Sequence, residues 1–314
     1  MGIAHYIRVI GRGKDGARAL DRAQANDLMG QLLDGRLSDL EVGAFVLAMR
    51  IKGESLEELI GFDEALRSRC LRIASTRPVL LLPSYNGARR LPNLTPLLAL
   101  LLAREDMPVL VHGAAGEDTR VASATLFERL GLPFAHDAGD AASAWARREP
   151  AVMTTAALCP PLARLLDVRR VVGVRNSGHT LAKLLQPIDG AALHVVNSTH
   201  RDYAELAAQF VHERRLDALL LRGTEGEPFA DPRRSPRLDV YLDGIWREEL
   251  SSAAQEGVLS ELPALPDGHD AAATARYIGQ VLDGTLPVPP PLGRQIMTLR
   301  RAWAMLPRAS AVDA

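Results

Sequence analysis

The hydrophobic pattern changes its period near residue 79, and this change constrains the fold more than any other feature of the sequence. Before it, apolar residues recur three and four positions apart, as on one face of a helix. Three capping boxes start such segments, each with Asp or Ser followed three residues later by Gln or Glu. These pairs are Asp21 with Gln24, Ser38 with Glu41, and Ser55 with Glu58. Residues 1–76 are therefore predicted to form a helical domain.

After residue 79, short and continuously apolar runs alternate with helical patterns, which is typical of a parallel sheet. Strands are predicted at 79–82, 109–111, 194–196, 218–221 and 238–242. Helices are predicted at 94–103, 123–130, 203–214, 271–282 and 294–305, the last after a proline run at 287–291. The segments 160–166 and 178–186 are helical, and we expect helices within 160–187 to join the N-terminal domain. The fold class is thus α/β, with a small all-helical domain plus a larger α/β domain, 77–314, around a mostly parallel central sheet.

Composition narrows the function classes only a little. The 314 residues are 47% hydrophobic with a formal net charge of −1, so the total charge does not demand an acidic partner. Two cysteines cannot form a disulfide framework, and the apolar run 97–103 is too short to cross a bilayer. No spacing of His or Cys predicts zinc. We expect a cytoplasmic protein without a membrane partner, a cofactor or a metal.

The segment 82–131 resembles the anthranilate phosphoribosyltransferase and pyrimidine nucleoside phosphorylase family, also called glycosyltransferase family 3. Asn93, the pair His112 and Gly113, and the segment 126–131 stand where that family has its TFN, KHGN and LEALG motifs. The resemblance implies a helical domain joined to an α/β domain, as the hydrophobic pattern does. It also implies a phosphosugar site at the loop 83–88.

The residues that would perform the family's chemistry differ at this loop. The family's GTGGDG sequence, whose glycines admit a pyrophosphate to the backbone N–H groups, aligns with Pro-Ser-Tyr-Asn-Gly-Ala. The Lys and Asn of KHGN become Val111 and Ala114, and the phosphate-binding serines become Asp118 and Thr119. A carboxylate there would repel phosphate. The residues predicted to remain as a vestigial phosphosugar site are Pro83, Ser84, Gly87, Asn93, His112 and Gly113.

The family's GLDE motif, whose carboxylates hold magnesium, falls on residues 226–229. Only one carboxylate lies in that frame, so magnesium has no paired anchor. Glu225 and Glu227 could supply one after a shift of register. The chain is predicted not to be an enzyme.

These departures resemble one branch of the family, the YbiB-type nucleic-acid-binding proteins. The segments that carry this resemblance are 10–14, 50–54, 83–89, 93–96, 111–113, 159–161, 175–184 and 223–227. The resemblance implies a homodimer, held through the helical domain, that binds DNA and possibly RNA without sequence preference. Such binding would use phosphate contacts in a basic groove.

Arg89 and Arg90 directly follow the altered loop, and His179 and Lys183 are four residues apart on one helix face. Lys183 could instead extend to solvent from an apolar helix, and Tyr85 could stack on a base. The residues predicted to contact nucleic acid are Tyr85, Asn86, Arg89, Arg90, Arg120, Arg175, His179 and Lys183.

Two other classes of function stay open. The retained Asn93, His112 and Arg175 are consistent with a phosphoribosyltransferase or nucleoside phosphorylase that has an atypical phosphate site. An interaction scaffold is consistent with the near-neutral charge. Magnesium-dependent binding of phosphoribosyl pyrophosphate would favour the enzyme, and salt-sensitive DNA binding would exclude the scaffold as the main role.

Overall fold

The computed structural model describes residues 2–13, 15–113, 120–266 and 270–307. Within them, the α-helices are α1 (Ala4–Ile10), α2 (Arg22–Leu33), α3 (Asp39–Lys52), α4 (Leu56–Arg67), α5 (Thr95–Arg104), α6 (Ser123–Arg129), α7 (Ala138–Ala146), α8 (Thr155–Leu158), α9 (Pro160–Val172), α10 (Ser177–Leu184), α11 (Arg201–Glu213), α12 (Ala271–Leu282) and α13 (Pro290–Ala304). The strands are β1 (Ile73–Ala74), β2 (Val79–Ser84), β3 (Val109–Gly113), β4 (Ala151–Thr154), β5 (Ile188–Asp189), β6 (Ala192–Ser198), β7 (Asp217–Arg222), β8 (Leu238–Leu242) and β9 (Ile245–Trp246). A 3-10 helix spans Glu248–Leu250.

The chain forms two compact units. The first comprises Met1–Leu71 and Thr155–Pro187, and the second comprises Arg72–Thr154 and Ile188–Ala314. The first segment of the first unit ends at Leu71, before the predicted boundary at residue 76, and β1, which pairs in parallel with β5, belongs to the second unit. Helices α8 to α10 lie with α1 to α4 in the first unit.

Local capping starts the helices of the first unit. All three predicted capping boxes form, and Asp21 accepts from the backbone N–H of Gln24 at 2.8 Å. A fourth box, between Asn176 and His179, starts α10 and was not predicted. Gly53, with φ of 80°, ends α3 in a conformation that a side chain would strain.

Glu58, the third helical residue of the capping box at Ser55, also makes contacts inside this unit. Its side chain is fully buried and accepts from the backbone N–H of Leu20 at 3.0 Å. The ammonium of Lys52 lies 2.6 Å from its other oxygen. Because a buried carboxylate is costly without such partners, this pairing ties the segment before α2 to the start of α4.

The second unit is built on a seven-stranded sheet in the order β4-β3-β2-β6-β7-β8-β9, as counted within the described ranges. Strands β4, β3, β2, β6 and β7 are parallel, and β8 and β9 add an antiparallel edge. The predicted fold, a helical bundle domain plus an α/β domain with a mostly parallel sheet, is confirmed. Helix α7 and strand β4 were not predicted. Strand β4 has only four residues, which is too few to show a clear period.

Residues of the sheet contribute to a hydrophobic core in the second unit. Leu80 and Leu82 of β2 meet Leu97 of α5, Ile278 of α12 and Leu299 of α13 in this core. Helix α13 begins at Pro290 rather than at the predicted residue 294. Proline is suited to the first turn of a helix, where no partner for its missing N–H is needed.

Candidate functional site

The altered loop lies at the carboxyl end of β2, beside the end of β3. Pro83 and Ser84 are the last residues of β2, and they pair in register with His112 and Gly113. A Cβ on Gly113 would lie 1.8 Å from the carbonyl oxygen of Ser84, so only glycine fits there. Four of the predicted vestigial-site residues thus lie together at the carboxyl ends of β2 and β3. Ligands of open α/β sheets bind at the carboxyl ends of the strands.

The two remaining residues of that set shape the chain beside the edge. Gly87 has φ of +64°, and a Cβ there would crowd the backbone of Val121 at 3.1 Å. The buried amide of Asn93 donates to the carbonyl of Val121 and to the hydroxyl of Ser123, each at 3.1 Å. Its oxygen accepts from the backbone N–H of Thr95 at 3.1 Å. Asn93 therefore has a structural role here.

Glu227 is the acid around which the loop is built. Its carboxylate is fully buried, and one oxygen accepts from the backbone N–H groups of Asn86 and Gly87 at 2.8 Å each. The other oxygen accepts from the hydroxyls of Ser84 and, at 3.1 Å, Thr95. These hydrogen bonds compensate for the cost of burying the carboxylate.

Glu225 binds the next stretch of the same loop. Its carboxylate accepts from the backbone N–H groups of Arg89 and Arg90 at 2.8 Å each, and from that of Leu91 at 3.0 Å. The guanidinium of Arg120 lies 4.0 Å away. Two glutamates of one short segment thus receive five backbone N–H groups of the loop 86–91.

This arrangement decides what the loop can bind. Successive backbone N–H groups form a concavity that attracts anions, and here the anions belong to the protein itself. A phosphate at the same donors would have to displace Glu225 and Glu227 and would meet their negative charges. The register shift considered from the sequence does bring both carboxylates to the loop, but their oxygens already accept N–H or O–H groups.

Three other side chains predicted to contact nucleic acid brace the loop internally. The amide of Asn86 donates to the carbonyl of Glu225 at 3.1 Å, and the guanidinium of Arg120 donates to the carbonyl of Gly87 at 3.1 Å. The hydroxyl of Tyr85 lies 2.9 Å from Nδ1 of His112. Each of the three is only partly exposed, so their hydrogen bonds hold the loop in shape.

His112 is fully buried beneath Tyr85, with the two rings edge to face at 5.6 Å between centroids. Burial, and secondarily the neighbouring His194, lowers the pKa of His112 to about 3. The imidazole is thus neutral near pH 7. A group with so low a pKa is a poor general base at that pH.

Arg89 and Arg90 differ from the rest of the loop. Their side chains are exposed, and within the described part of the chain neither makes an ion pair or hydrogen bond. Their backbone N–H groups are held by Glu225. The loop therefore presents two available guanidinium groups on an anchored backbone.

The other predicted contacts lie in the helical unit. Arg175, His179 and Lys183 are partly exposed, and His179 forms the capping box with Asn176. Burial lowers the pKa of His179 to about 4, and the charges of Arg175 and Lys183 contribute. The imidazole therefore adds no positive charge near pH 7. The structure places Arg89 and Arg90 in one unit and this set in the other.

The substitutions at Ala114, Asp118 and Thr119 lie outside the described residues. Among the residues that are described, no group of three or more His, Cys, Asp or Glu side chains is placed to hold a metal ion. None of the described helices is long and apolar enough to cross a bilayer.

Solved structures share this fold. An anthranilate phosphoribosyltransferase from Thermus thermophilus superposes with a TM-score of 0.67 at 20% identity, over 89% of this chain and 83% of that one. The enzyme from Saccharomyces cerevisiae, in complex with PRPP and Mg, gives a TM-score of 0.68 at 14% identity, over 96% and 86%. At these identities the likeness establishes the architecture.

Sequence relatives establish the family. A model of the glycosyl transferase family helical bundle domain matches residues 4–70. Anthranilate phosphoribosyltransferase from Methanopyrus kandleri is 27% identical over 310 residues, covering 96% of this chain and 89% of the enzyme. The chain belongs to glycosyltransferase family 3, the anthranilate phosphoribosyltransferase-like family. Within it, the uncharacterized protein YbiB of Escherichia coli K12 is 40% identical over 294 residues, covering 92% of this chain and 91% of YbiB.

Replacing Glu227 with Gln tests the buried carboxylate. Gln keeps the shape but brings an NH₂ group toward donors, so we expect the free energy of unfolding to fall by about 1–3 kcal/mol. Urea denaturation measures this change. The control is Glu256→Gln, at an exposed position, which should change stability by less than about 0.5 kcal/mol. Equal, small effects of both substitutions would contradict the role of Glu227.

Proposed function

We propose that this protein is a non-catalytic nucleic-acid-binding protein that contacts the phosphates of DNA, and of RNA, without reading their sequence. The observation that carries the proposal is the loop 85–91. Its backbone anion site is filled by Glu225 and Glu227, while the side chains of Arg89 and Arg90 stay exposed.

Arginine suits this role because its guanidinium can donate two parallel hydrogen bonds to one phosphate. The anchored backbone of Arg89 and Arg90 reduces the freedom that binding must remove. Such contacts fix a strand in place but carry no sequence information.

A second concentration of positive charge in the helical unit supports the proposal. Arg175, Arg169 and Lys183 lie close enough to His179 for their positive charges to lower its pKa. We assign Arg175 and Lys183 as additional phosphate contacts. With a net charge of −1, binding depends on such local concentrations rather than on the total.

The test is a fluorescence-anisotropy titration of labelled single-stranded DNA, duplex DNA and single-stranded RNA at two salt concentrations. Affinity should fall steeply with salt, because binding releases condensed counterions. The double variant Arg89→Gln, Arg90→Gln should bind more weakly and lower the slope of log affinity against log salt by about two. Arg129→Gln, an exposed arginine on α6, serves as the control. Absence of binding, or affinity that ignores salt, would refute the proposal.

We further propose that the protein is a homodimer held through its helical unit. Helix α3 exposes Leu40 by 83%, Leu47 by 46% and Ile51 by 72%. Their spacing of seven and four residues puts them on one stripe. Gly43 lies between them and meets nothing within 4 Å at its Cβ position, so another backbone could approach closely. A second copy of α3 fits a stripe of this kind.

Light scattering after size-exclusion chromatography tests the dimer. The wild type should have twice the chain mass of 34.0 kDa. The double variant Leu40→Glu, Ile51→Glu should have the mass of one chain, because a dimer would have to bury the new charges at its interface. Met297→Glu changes an apolar residue of α13 that is 55% exposed, and it should leave the dimer intact. A monomeric wild type, or a dimeric double variant, would refute this interface.

The second candidate function is a phosphoribosyltransferase with an atypical phosphate site. The observation that favours it is the resemblance over 96% of the chain to the Methanopyrus kandleri enzyme. Titration calorimetry with phosphoribosyl pyrophosphate and magnesium distinguishes the two. We expect no saturable heat, because Glu225 and Glu227 occupy the N–H donors of the loop. Saturable, magnesium-dependent binding would favour the enzyme instead.

A further inference from the structure

A cavity of about 520 Å³ lies on the sheet face that α11 covers, and the functions above do not use it. The residues that line it come from three neighbouring strands of the sheet and from the start and middle of α11. They include Val196 and Ser198 of β6, Leu220 and Arg222 of β7, and Tyr241 of β8. None of its lining residues takes part in the network around Glu225 and Glu227.

Small side chains on α11 create the space. Ala204, Ala207 and Ala208 face the strands where longer residues would fill the gap. With Val196 and Leu220 they form an apolar floor. The volume falls in the range of roughly 300–1,000 Å³ that is usual for small-molecule sites.

The rim of the cavity is polar and positively charged. Arg201 and Arg237 stand at it, and each is paired with an acid that also lines the cavity, Glu205 at 2.9 Å and Asp239 at 2.7 Å. Arg222 is exposed and, within the described residues, has no ion pair or hydrogen bond. The lining thus carries three guanidinium groups against two carboxylates, with one guanidinium left for a ligand.

Other donors stand near Arg222. Ser198, on the neighbouring strand β6, pairs in register with Arg222, and Thr199 lies between Ser198 and His200, the N-cap of α11. Tyr241 also lines the cavity, and its hydroxyl has no hydrogen-bond partner among the described residues. The cavity therefore combines an apolar floor with donors for an anion at its mouth.

We propose that this cavity binds a nucleoside monophosphate unit. Arg222 holds the phosphate at the rim, with Ser198 and Thr199 as further donors, and the base and sugar cover the apolar floor beneath α11. A phosphate fits better than a neutral group, because the free guanidinium offers two parallel donors. The unit can come from a free mononucleotide or from the phosphorylated end of a strand, which present the same chemistry.

Isothermal titration calorimetry with adenosine monophosphate tests the site on the full chain. We expect saturable binding, and at least about tenfold weaker binding of adenosine, which lacks the phosphate. Arg222→Gln should weaken binding of the monophosphate by at least about tenfold. Ala208→Leu should abolish it by filling the cavity, and Arg129→Gln should leave it unchanged.

Circular dichroism confirms that each variant is folded. No binding at millimolar adenosine monophosphate would overturn the proposal, and so would binding that both Arg222→Gln and Ala208→Leu leave intact. Competition by a 5′-phosphorylated trinucleotide assigns the unit to a strand end, and competition by mononucleotides alone assigns it to a free nucleotide. The variant Arg89→Gln, Arg90→Gln should bind adenosine monophosphate normally, so failure of the DNA-binding proposal would be seen separately.

Discussion

The buried carboxylate of Glu227 is the interaction on which the loop at the carboxyl end of β2 depends. A charge without exposure to water costs several kcal/mol unless hydrogen bonds compensate for it. Here the compensation comes from backbone N–H groups of Asn86 and Gly87 and from nearby hydroxyls. In a substrate-binding loop such donors must stay available for a ligand. In this chain they are part of the permanent structure.

A second consequence concerns the arginines. The backbone N–H groups of Arg89 and Arg90 donate to the carboxylate of Glu225, whereas the side chains of both arginines are exposed to solvent. The loop thus presents two exposed guanidinium groups on a backbone that the protein's own glutamates hold. A pyrophosphate could use the same N–H donors only by displacing these glutamates.

Much of the fold could be predicted because its signals are local. The start of α4 is predicted from Ser55 and from Glu58 three residues later, and β2 is predicted from the length of one continuous apolar run. A local rule gave a wrong boundary for the last helix. The prediction treats the proline run as ending before that helix, although proline fits the first helical turn and α13 begins at Pro290.

The site was harder to predict, because its contacts join distant segments. Glu225 binds N–H groups more than 130 residues away in the sequence, and no periodicity indicates such a pairing. Ser123, which joins Thr95 in the hydroxyl cluster around Glu227, has no motif of its own. Glu225 and Glu227, in the segment 223–227, are a usable signal, but the sequence suggests them only as ligands of magnesium. Their other capacity, to accept N–H groups of their own protein, explains the altered loop.

The most direct test of this account is a two-dimensional ¹⁵N–¹H NMR titration with assigned signals for the backbone of Asn86, Gly87, Arg89 and Arg90 and for the Nε–H groups of the two arginines. We predict that phosphoribosyl pyrophosphate with magnesium leaves all these backbone signals in place, whereas single-stranded DNA shifts the arginine Nε–H signals at low salt. A saturable shift of the backbone signals of Asn86 and Gly87 by phosphoribosyl pyrophosphate would contradict the account.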